Sequence, residues 1–231
     1  VTYLEQMASW QELARILAHE IKNPLTPIEV LVTSLSKAYA SKSAQEFQRQ
    51  LTQAQVMIGE ELSHLKKTVS RFSEFAKLPE AQLVEQNPTQ VVQGHVAAIS
   101  ASFEAADISV DAAECTPGAR ARMDSSLFRQ VLMNIVANGV EANRGRRVGF
   151  VIRVACTSET VCIEVCNDGV PVPPALAARI FDPYVSGGAG KENMGLGLSI
   201  VKKVVIEHGG EIGYSERDGR PCFTISLARV A

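Results

Sequence analysis

Apolar residues at alternating three- and four-residue steps run through the first third of the chain and then stop. Leu4, Met7, Leu13, Ile16, Leu17, Ile21, Ile28, Leu31, Val32 and Leu35 mark one face of a long helix. Leu51, Gln55, Ile58, Leu62, Leu65, Val69, Phe72 and Ala76 hold a coiled-coil step over roughly four heptads of a second. The polar stretch Ala40-Ser41-Lys42-Ser43 is the turn between them. Pro24 and Pro27 interrupt the first helix, but the apolar step resumes at once, so they predict a bend just after His19 rather than a stop. Two helices with one seam each cannot bury both faces alone. The pattern therefore predicts an α-helical hairpin that forms a homodimer, a four-helix bundle.

From Lys77-Leu78-Pro79-Glu80 onward the helical step gives way to short alternating runs, glycines and prolines, which puts a domain boundary near residues 78–83. The chain divides into residues 1–80 and 81–231. In the second part Asn87-Pro88 opens a helix to about Phe103, Ile108 to Val110 and Ala119 to Met123 are short strands, and Asp124 caps a helix from Ser125 to Ala142. Val148 to Ala155 and Val161 to Val165 alternate as paired strands. Gly195 to His208 is a helix, and Glu211 to Tyr214 with Cys222 to Leu227 form a closing hairpin across Asp218-Gly219. These elements predict an α/β sandwich, a helix layer on a sheet.

A formal net charge of −2 offers no basic surplus for a phosphate backbone, so direct nucleic-acid binding is not expected. No run reaches the roughly 18 to 20 apolar residues of a membrane-spanning helix and no leader is visible, so the chain reads as soluble and cytoplasmic. Beginning in mid-helix, it reads as a piece of a longer protein whose sensor or membrane segments lie upstream. The five cysteines (Cys115, Cys156, Cys162, Cys166, Cys222) are odd in number and form no CxxC pair. That argues against disulfides and zinc, and for small buried hydrophobes in a reducing cytosol.

His19 and Glu20 are neighbours inside an apolar helix, with Asn23 three residues on. Neutral imidazole is nucleophilic near physiological pH, and a carboxylate can accept the proton of its other nitrogen. Asn134 and Asn138 stand four apart and share a helix face, with Arg129 and Glu141 nearby. An amide oxygen suits a hard divalent ion, so Asn138 is the metal candidate; two surface amides is the plainer alternative. Asn167-Asp168-Gly169 follows a strand, where an amide or carboxylate can accept the amino group of an adenine and glycine lets the backbone approach the ring. The same tripeptide is also an ordinary turn. Phe181 to Tyr184 leads into a glycine-rich loop containing Lys191, which feeds Gly195-Leu196-Gly197 at a helix N-terminus, an arrangement suited to phosphate under a lid. His64 and His95 read as ordinary, and His208 as packing beside Gly209-Gly210. Arg71, Arg129, Arg144, Arg146 and Arg147 read as solvated faces or domain contacts, with Arg129 or Arg144 within range of a phosphate.

Together these segments resemble the transmitter of a two-component sensor histidine kinase over essentially the whole chain. His19-Glu20-Ile21-Lys22-Asn23-Pro24-Leu25 resembles the phosphoacceptor box, Asn134 to Ala142 the asparagine box and Asn167 to Gly169 the first glycine box. Phe181 to Tyr184 resembles the phenylalanine box and Gly195-Leu196-Gly197-Leu198 the second glycine box. Trp10 and the Asn-Pro-Leu-Thr-Pro run look most like the nitrogen-regulation branch. The resemblance implies a dimerisation and histidine phosphotransfer domain followed by a catalytic ATP-binding domain of the histidine-kinase/Hsp90-type ATPase class. It also implies ATP and Mg²⁺ as cofactors, autophosphorylation of His19 with Glu20 as base, and transfer to an aspartate of a response regulator receiver domain. Asn23 in the Glu20-xx-Asn23 pattern implies regulator phosphatase activity. The chain departs from the family at Asn167, where aspartate is usual, and at Asn193, where glycine is usual. A dimeric pseudokinase scaffold is the alternative, and an ATP-driven chaperone of the related fold ranks behind it.

Overall fold

The structure, a computed structural model, describes residues 3–41, 43–76, 79–183, 185 and 195–230, with side chains described for these apart from 3–13, 16, 41, 71 and 74–76. It divides into two units, Val1–Leu78 and Pro79–Ala231. The first is a hairpin of α1 (Tyr3–Ser41) and α2 (Ala44–Ala76). Its turn is tighter than the polar stretch predicts, because α1 continues through Ser41 and α2 begins with a capping box. Ser43 Oγ accepts the Glu46 N–H at 3.3 Å, while Glu46 Oε2 accepts from the Ser43 N–H at 3.3 Å and from its hydroxyl at 3.1 Å. α1 stays helical through Pro24 and Pro27. Neither carries an N–H, so the carbonyls of Glu20 and Asn23 lose the donors that positions four residues on would supply.

The packed stripe of α2 is offset from the predicted seam. Leu51, Ala54, Ile58, Leu65, Thr68 and Phe72 are buried or half-buried, whereas Gln55, Leu62 and Val69 are exposed. A four-three step is met by either neighbour of the shared positions 51, 58, 65 and 72, and the smaller Ala54 and Thr68 allow closer approach than Leu62 or Val69 would.

The second unit contains β1 (Val84–Gln86), α3 (Pro88–Ser102), β2 (Ala106–Asp111), β3 (Arg120–Met123), α4 (Ser125–Ala142), β4 (Val148–Cys156) and β5 (Thr160–Asn167). These are followed by the single turn α5 (Pro174–Ala177), then α6 (Gly197–Glu207), β6 (Glu211–Arg217) and β7 (Arg220–Val230). Its helix starts follow the sequence logic. Asn87 Oδ1 accepts from Gln90 N at 3.0 Å ahead of Pro88, and Asp124 Oδ1 accepts from Ser126 N and Leu127 N at 3.0 Å. Asp218 and Gly219, both at positive φ, make the turn of the β6–β7 hairpin. β1 and α5 were not predicted. The strand order is β1-β3-β7-β5-β4-β2, with β6 also paired to β7; only β2 and β4 run parallel. The last hairpin therefore does not close the sheet at an edge: β7 is its centre.

α4 packs against both α3 and α6. Val131, Leu132, Ile135 and Val136 of α4 and Val201 and Val204 of α6 are fully buried with Ile152, Ile163, Val165 and Ile225 of the sheet. Strand alternation sends Arg153, Glu164 and Arg217 to the other face, where buried Glu164 takes Arg217 Nη1 at 2.8 Å and Arg153 Nη1 at 3.4 Å.

The cysteines overturn the sequence reading. Cys115–Cys156 and Cys166–Cys222 are disulfide-bonded, only Cys166 and Cys222 are buried, and Cys162 is the free thiol. Spacing could not show pairs 41 and 56 residues apart, because register makes them: Cys166 lies directly opposite Cys222 in the β5–β7 ladder. The inference of a reducing compartment loses its support. Among the described residues no helix is long and apolar enough to cross a membrane.

Candidate functional site

On α1, His19 and Asn23 are exposed and Glu20 is half-buried. Glu20 Oε1 accepts from Asn23 Nδ2 at 3.5 Å, one helical turn on, and is not hydrogen-bonded to His19. Neighbouring positions on a helix do not face each other, whereas positions three apart do. The structure thus pairs Glu20 with Asn23 and leaves the imidazole presented to solvent.

In the second unit, α4 was legible because of its periodicity and its aspartate cap. Burial raises the Asp124 carboxyl, but the N–H groups of Leu127, Gln82 and Ser126 outweigh it, so the group titrates below the usual carboxylate range. His208 is not simple packing beside a turn. It is buried, its Nε2 accepts the Asp124 N–H at 3.0 Å, and its Nδ1 donates to Val204 O at 2.7 Å, which ties the start of α4 to the end of α6.

That tie aligns the face carrying Asn134 and Asn138 with the start of α6. Asn134 Nδ2 donates to Gln130 O at 2.9 Å, and its Oδ1 lies 3.1 Å from where a Cβ on Gly197 would stand. Gly197 thus permits the close approach of α4 and α6. The half-buried Asn138 amide has no hydrogen-bond partner among the described residues. Gly195 has φ 62°, a left-handed value suited to glycine, and the following Leu196 is buried at the head of α6. Phe181 stacks edge-on to Phe223 with ring centroids 6.3 Å apart. Lys191, with residues 186–194 and Tyr184, lies outside the described residues.

Asn167 and Asp168 part company at the end of β5. Asn167 is buried on the helix-covered face, and its Oδ1 accepts the Gly169 N–H at 2.9 Å. Asp168 points the other way: its Oδ1 accepts from Arg146 Nη2 at 2.6 Å and from Gly149 N at 3.0 Å. Asp168, the first residue after β5, continues the alternation of the strand and faces away from Asn167, so the structure brings Asn134, Asn138, Asn167, Gly169 and Gly197 to one side and not the Asp168 carboxylate. Arg146, read as a solvated face, is the partner that holds it.

Residues 123–230 match the family described as histidine kinase-, DNA gyrase B- and HSP90-like ATPase. The nitrogen regulation protein NtrY of Azorhizobium caulinodans is 30% identical over 219 residues, 90% of this chain and 27% of that protein. The sensory histidine kinase/phosphatase NtrB of Rhodobacter capsulatus is 28% identical over 229 residues, 93% of this chain and 61% of that protein. The chain is similar, along nine-tenths or more of its length, to sensor histidine kinases of the nitrogen-regulation branch. The chain spans about a quarter of NtrY and three-fifths of NtrB. A crystal structure of histidine kinase ThkA in complex with response regulator protein TrrA has its fold: TM-score 0.71 at 24% identity, covering 98% of this chain and 64% of that one.

Sequence reasoning missed two residues beside the candidate site. Asn143 is buried beyond the asparagine pair, with Nδ2 donating to Gly139 O at 2.8 Å and Oδ1 accepting from Val170 N at 2.9 Å, so it fastens the end of α4 to the loop after β5. Tyr214 Oη accepts from Val172 N at 2.9 Å and holds the same loop from β6. An asparagine ending a helix pattern was the one signal for the first; nothing local signalled the second.

Proposed function

We propose that this chain transfers the γ-phosphoryl group of ATP to a ring nitrogen of His19 and passes it to an aspartate of a response regulator receiver domain. The observation that carries the reading is Asn138, an amide with no hydrogen-bond partner among the described residues, on the α4 face that adjoins the glycine-opened start of α6. Such an amide fits Mg²⁺, which takes one protein oxygen and completes its shell with phosphate oxygens and water. When bound, the ion neutralises charge on the phosphates. Gly195, Leu196 and Gly197 offer backbone N–H groups to phosphate, with Lys191 adding a positive charge from the preceding segment. Asn167 and Gly169 meet the base.

In the transfer, the His19 nitrogen forms a P–N bond as the bond from the γ-phosphorus to the bridging oxygen breaks and ADP leaves. The proton on the other ring nitrogen passes to a carboxylate, for which Glu20 must release its 3.5 Å contact with Asn23. Asn23, freed in turn, orients water for regulator dephosphorylation; the relative NtrB, a sensory histidine kinase/phosphatase, supports this. The ThkA–TrrA complex supports a regulator as partner. Exposed Leu25, Val32, Met57, Leu62 and Val69 support a homodimer that buries them as a bundle.

Incubation with γ-labelled ATP and Mg²⁺ tests the reading. Acid-labile, base-stable label that vanishes in His19→Gln is expected. ATP binding without label overturns it in favour of the pseudokinase scaffold, a reading that asparagine rather than aspartate at residue 167 favours. Sustained hydrolysis that survives His19→Gln points to a chaperone-like ATPase.

A further inference from the structure

Strand alternation gathers a second set of ligating side chains on the face of the sheet turned away from α4 and α6. Glu164 and Cys166 stand two apart on β5 and so share that face, while Cys222 lies directly opposite Cys166 on β7. The two cysteine Cα atoms are 4.1 Å apart, and a carboxylate oxygen of Glu164 and the two sulfurs lie within 4.8 Å of one another. All three residues are buried: Glu164 is 5% exposed, Cys166 7% and Cys222 1%. A tetrahedral zinc ion at its usual bond lengths to sulfur and oxygen spaces its ligands roughly 3.5 to 4 Å apart, which small side-chain rotations reach from this arrangement. Two sulfurs with one carboxylate favour zinc over magnesium or calcium, which take oxygen ligands.

Two bonds hold these groups closed. The sulfurs are joined to each other, and the carboxylate takes Arg217 Nη1 at 2.8 Å and Arg153 Nη1 at 3.4 Å. Both can be released. A dithiol reductant gives the bridge two electrons and two protons and is itself oxidised to a disulfide, which leaves two thiols on the protein. Each thiol then loses its proton to water as a zinc–sulfur bond forms. The Arg153 and Arg217 side chains are 55% and 59% exposed, so a guanidinium that leaves Glu164 passes into water, and the ion replaces the positive charge that the buried carboxylate gives up. The free thiol of Cys162 does not complete the shell, since four residues along a strand separate it from Cys166 by about 13 Å. The fourth position falls to water.

We propose that reduction of Cys166–Cys222 opens a zinc site made of the two thiolates and the Glu164 carboxylate. No CxxC spacing announces it, because the register of β5 and β7 assembles it. Cobalt(II), which occupies zinc sites and absorbs visibly, is the probe. The whole chain carrying Cys115→Ser and Cys156→Ser, so that the other cysteine pair is absent, is titrated with cobalt(II) in its oxidised form and again after reduction by dithiothreitol and removal of the reductant without air. The reduced chain is expected to show tetrahedral cobalt bands with a sulfur-to-cobalt charge-transfer band, abolished by added zinc, and the oxidised chain to show neither. Glu164→Gln is expected to weaken binding by about tenfold or more, since even groups standing behind metal ligands contribute that much. Arg217→Ala is expected to bind at least as tightly as the unsubstituted site, because a competitor for the carboxylate is gone. Absence of the charge-transfer band from the reduced chain, its presence in the oxidised chain, or full affinity in Cys222→Ser or Glu164→Gln overturns the proposal. Should Glu164→Gln fail to fold, Cys222→Ser and the comparison of oxidised with reduced chain decide.

Discussion

Gly169→Ala is the substitution whose effect the structure defines most closely. A Cβ there would overlap Asn143 Nδ2 and stand 2.6 Å from Asn167 Oδ1 and 2.8 Å from Asn143 Cγ. Neither amide can retreat cheaply, since Asn143 is 5% exposed and Asn167 3%. Moving Asn143 strains its bonds to Gly139 O and Val170 N, and moving Asn167 strains the bond to Gly169 N. Leaving a buried polar group unpaired costs ~1–3 kcal/mol, and an extra methyl in a tight site costs a similar amount. Two lost bonds and one overlap, each at the low end, give a loss of about 3 kcal/mol. For a unit of this size that lowers the melting temperature by roughly 6 to 12 °C. Urea and thermal unfolding followed by near-ultraviolet circular dichroism would measure it. Gly94→Ala is the control: this helical glycine has nothing within 4 Å of its added Cβ, so alanine should stabilise by about 0.5–1 kcal/mol. A loss under about 1 kcal/mol in Gly169→Ala would refute the reasoning, because it would mean the two amides are not held as described.

Asp124→Ala should cost about 1 kcal/mol at neutral pH through the lost cap. Because the native carboxyl titrates below its unfolded value, its contribution is present above about pH 3.9 and fades as pH falls through the native pKa, so the two stability curves should converge in acid; a constant gap would count against it. Reducing the disulfides with dithiothreitol should lower stability by about 4 kcal/mol for each loop in the chain-entropy account, and Cys115→Ser/Cys156→Ser should reproduce its share without reductant. Unchanged melting in reductant would rule the bridges out as stabilisers. Arg217→Ala leaves buried Glu164 with only the longer Arg153 contact and should cost about 2 kcal/mol, falling toward zero when Glu164 is also replaced by leucine. An equal loss in both backgrounds would show that Arg217 acts by packing.

What the sequence revealed follows interaction range. α4 was bounded to the residue, because its cap, periodicity and end are all local. The asparagine pair and the glycines before α6 were likewise visible, being one element each. The α2 stripe was read one position off at Gln55, Leu62 and Val69, because a four-three step cannot distinguish adjacent solutions without the partner helix. Asp168 was assigned to the site although strand alternation turns it away, since a tripeptide read as a loop carries no face. The disulfides, the Arg146–Asp168 pair and the Tyr214–Val172 bond join residues far apart in the chain, and no local signal records a register.

The position of β7 bears on how the protein is made. It is the last strand to leave the ribosome, yet it pairs with β3, β5 and β6. The α1–α2 hairpin needs only its own residues and can form early, whereas the sheet must wait with open strand edges until β7 emerges. A nascent chain halted before β7 would therefore hold a finished hairpin and an unfinished sheet, the sheet's edges free to pair with other chains.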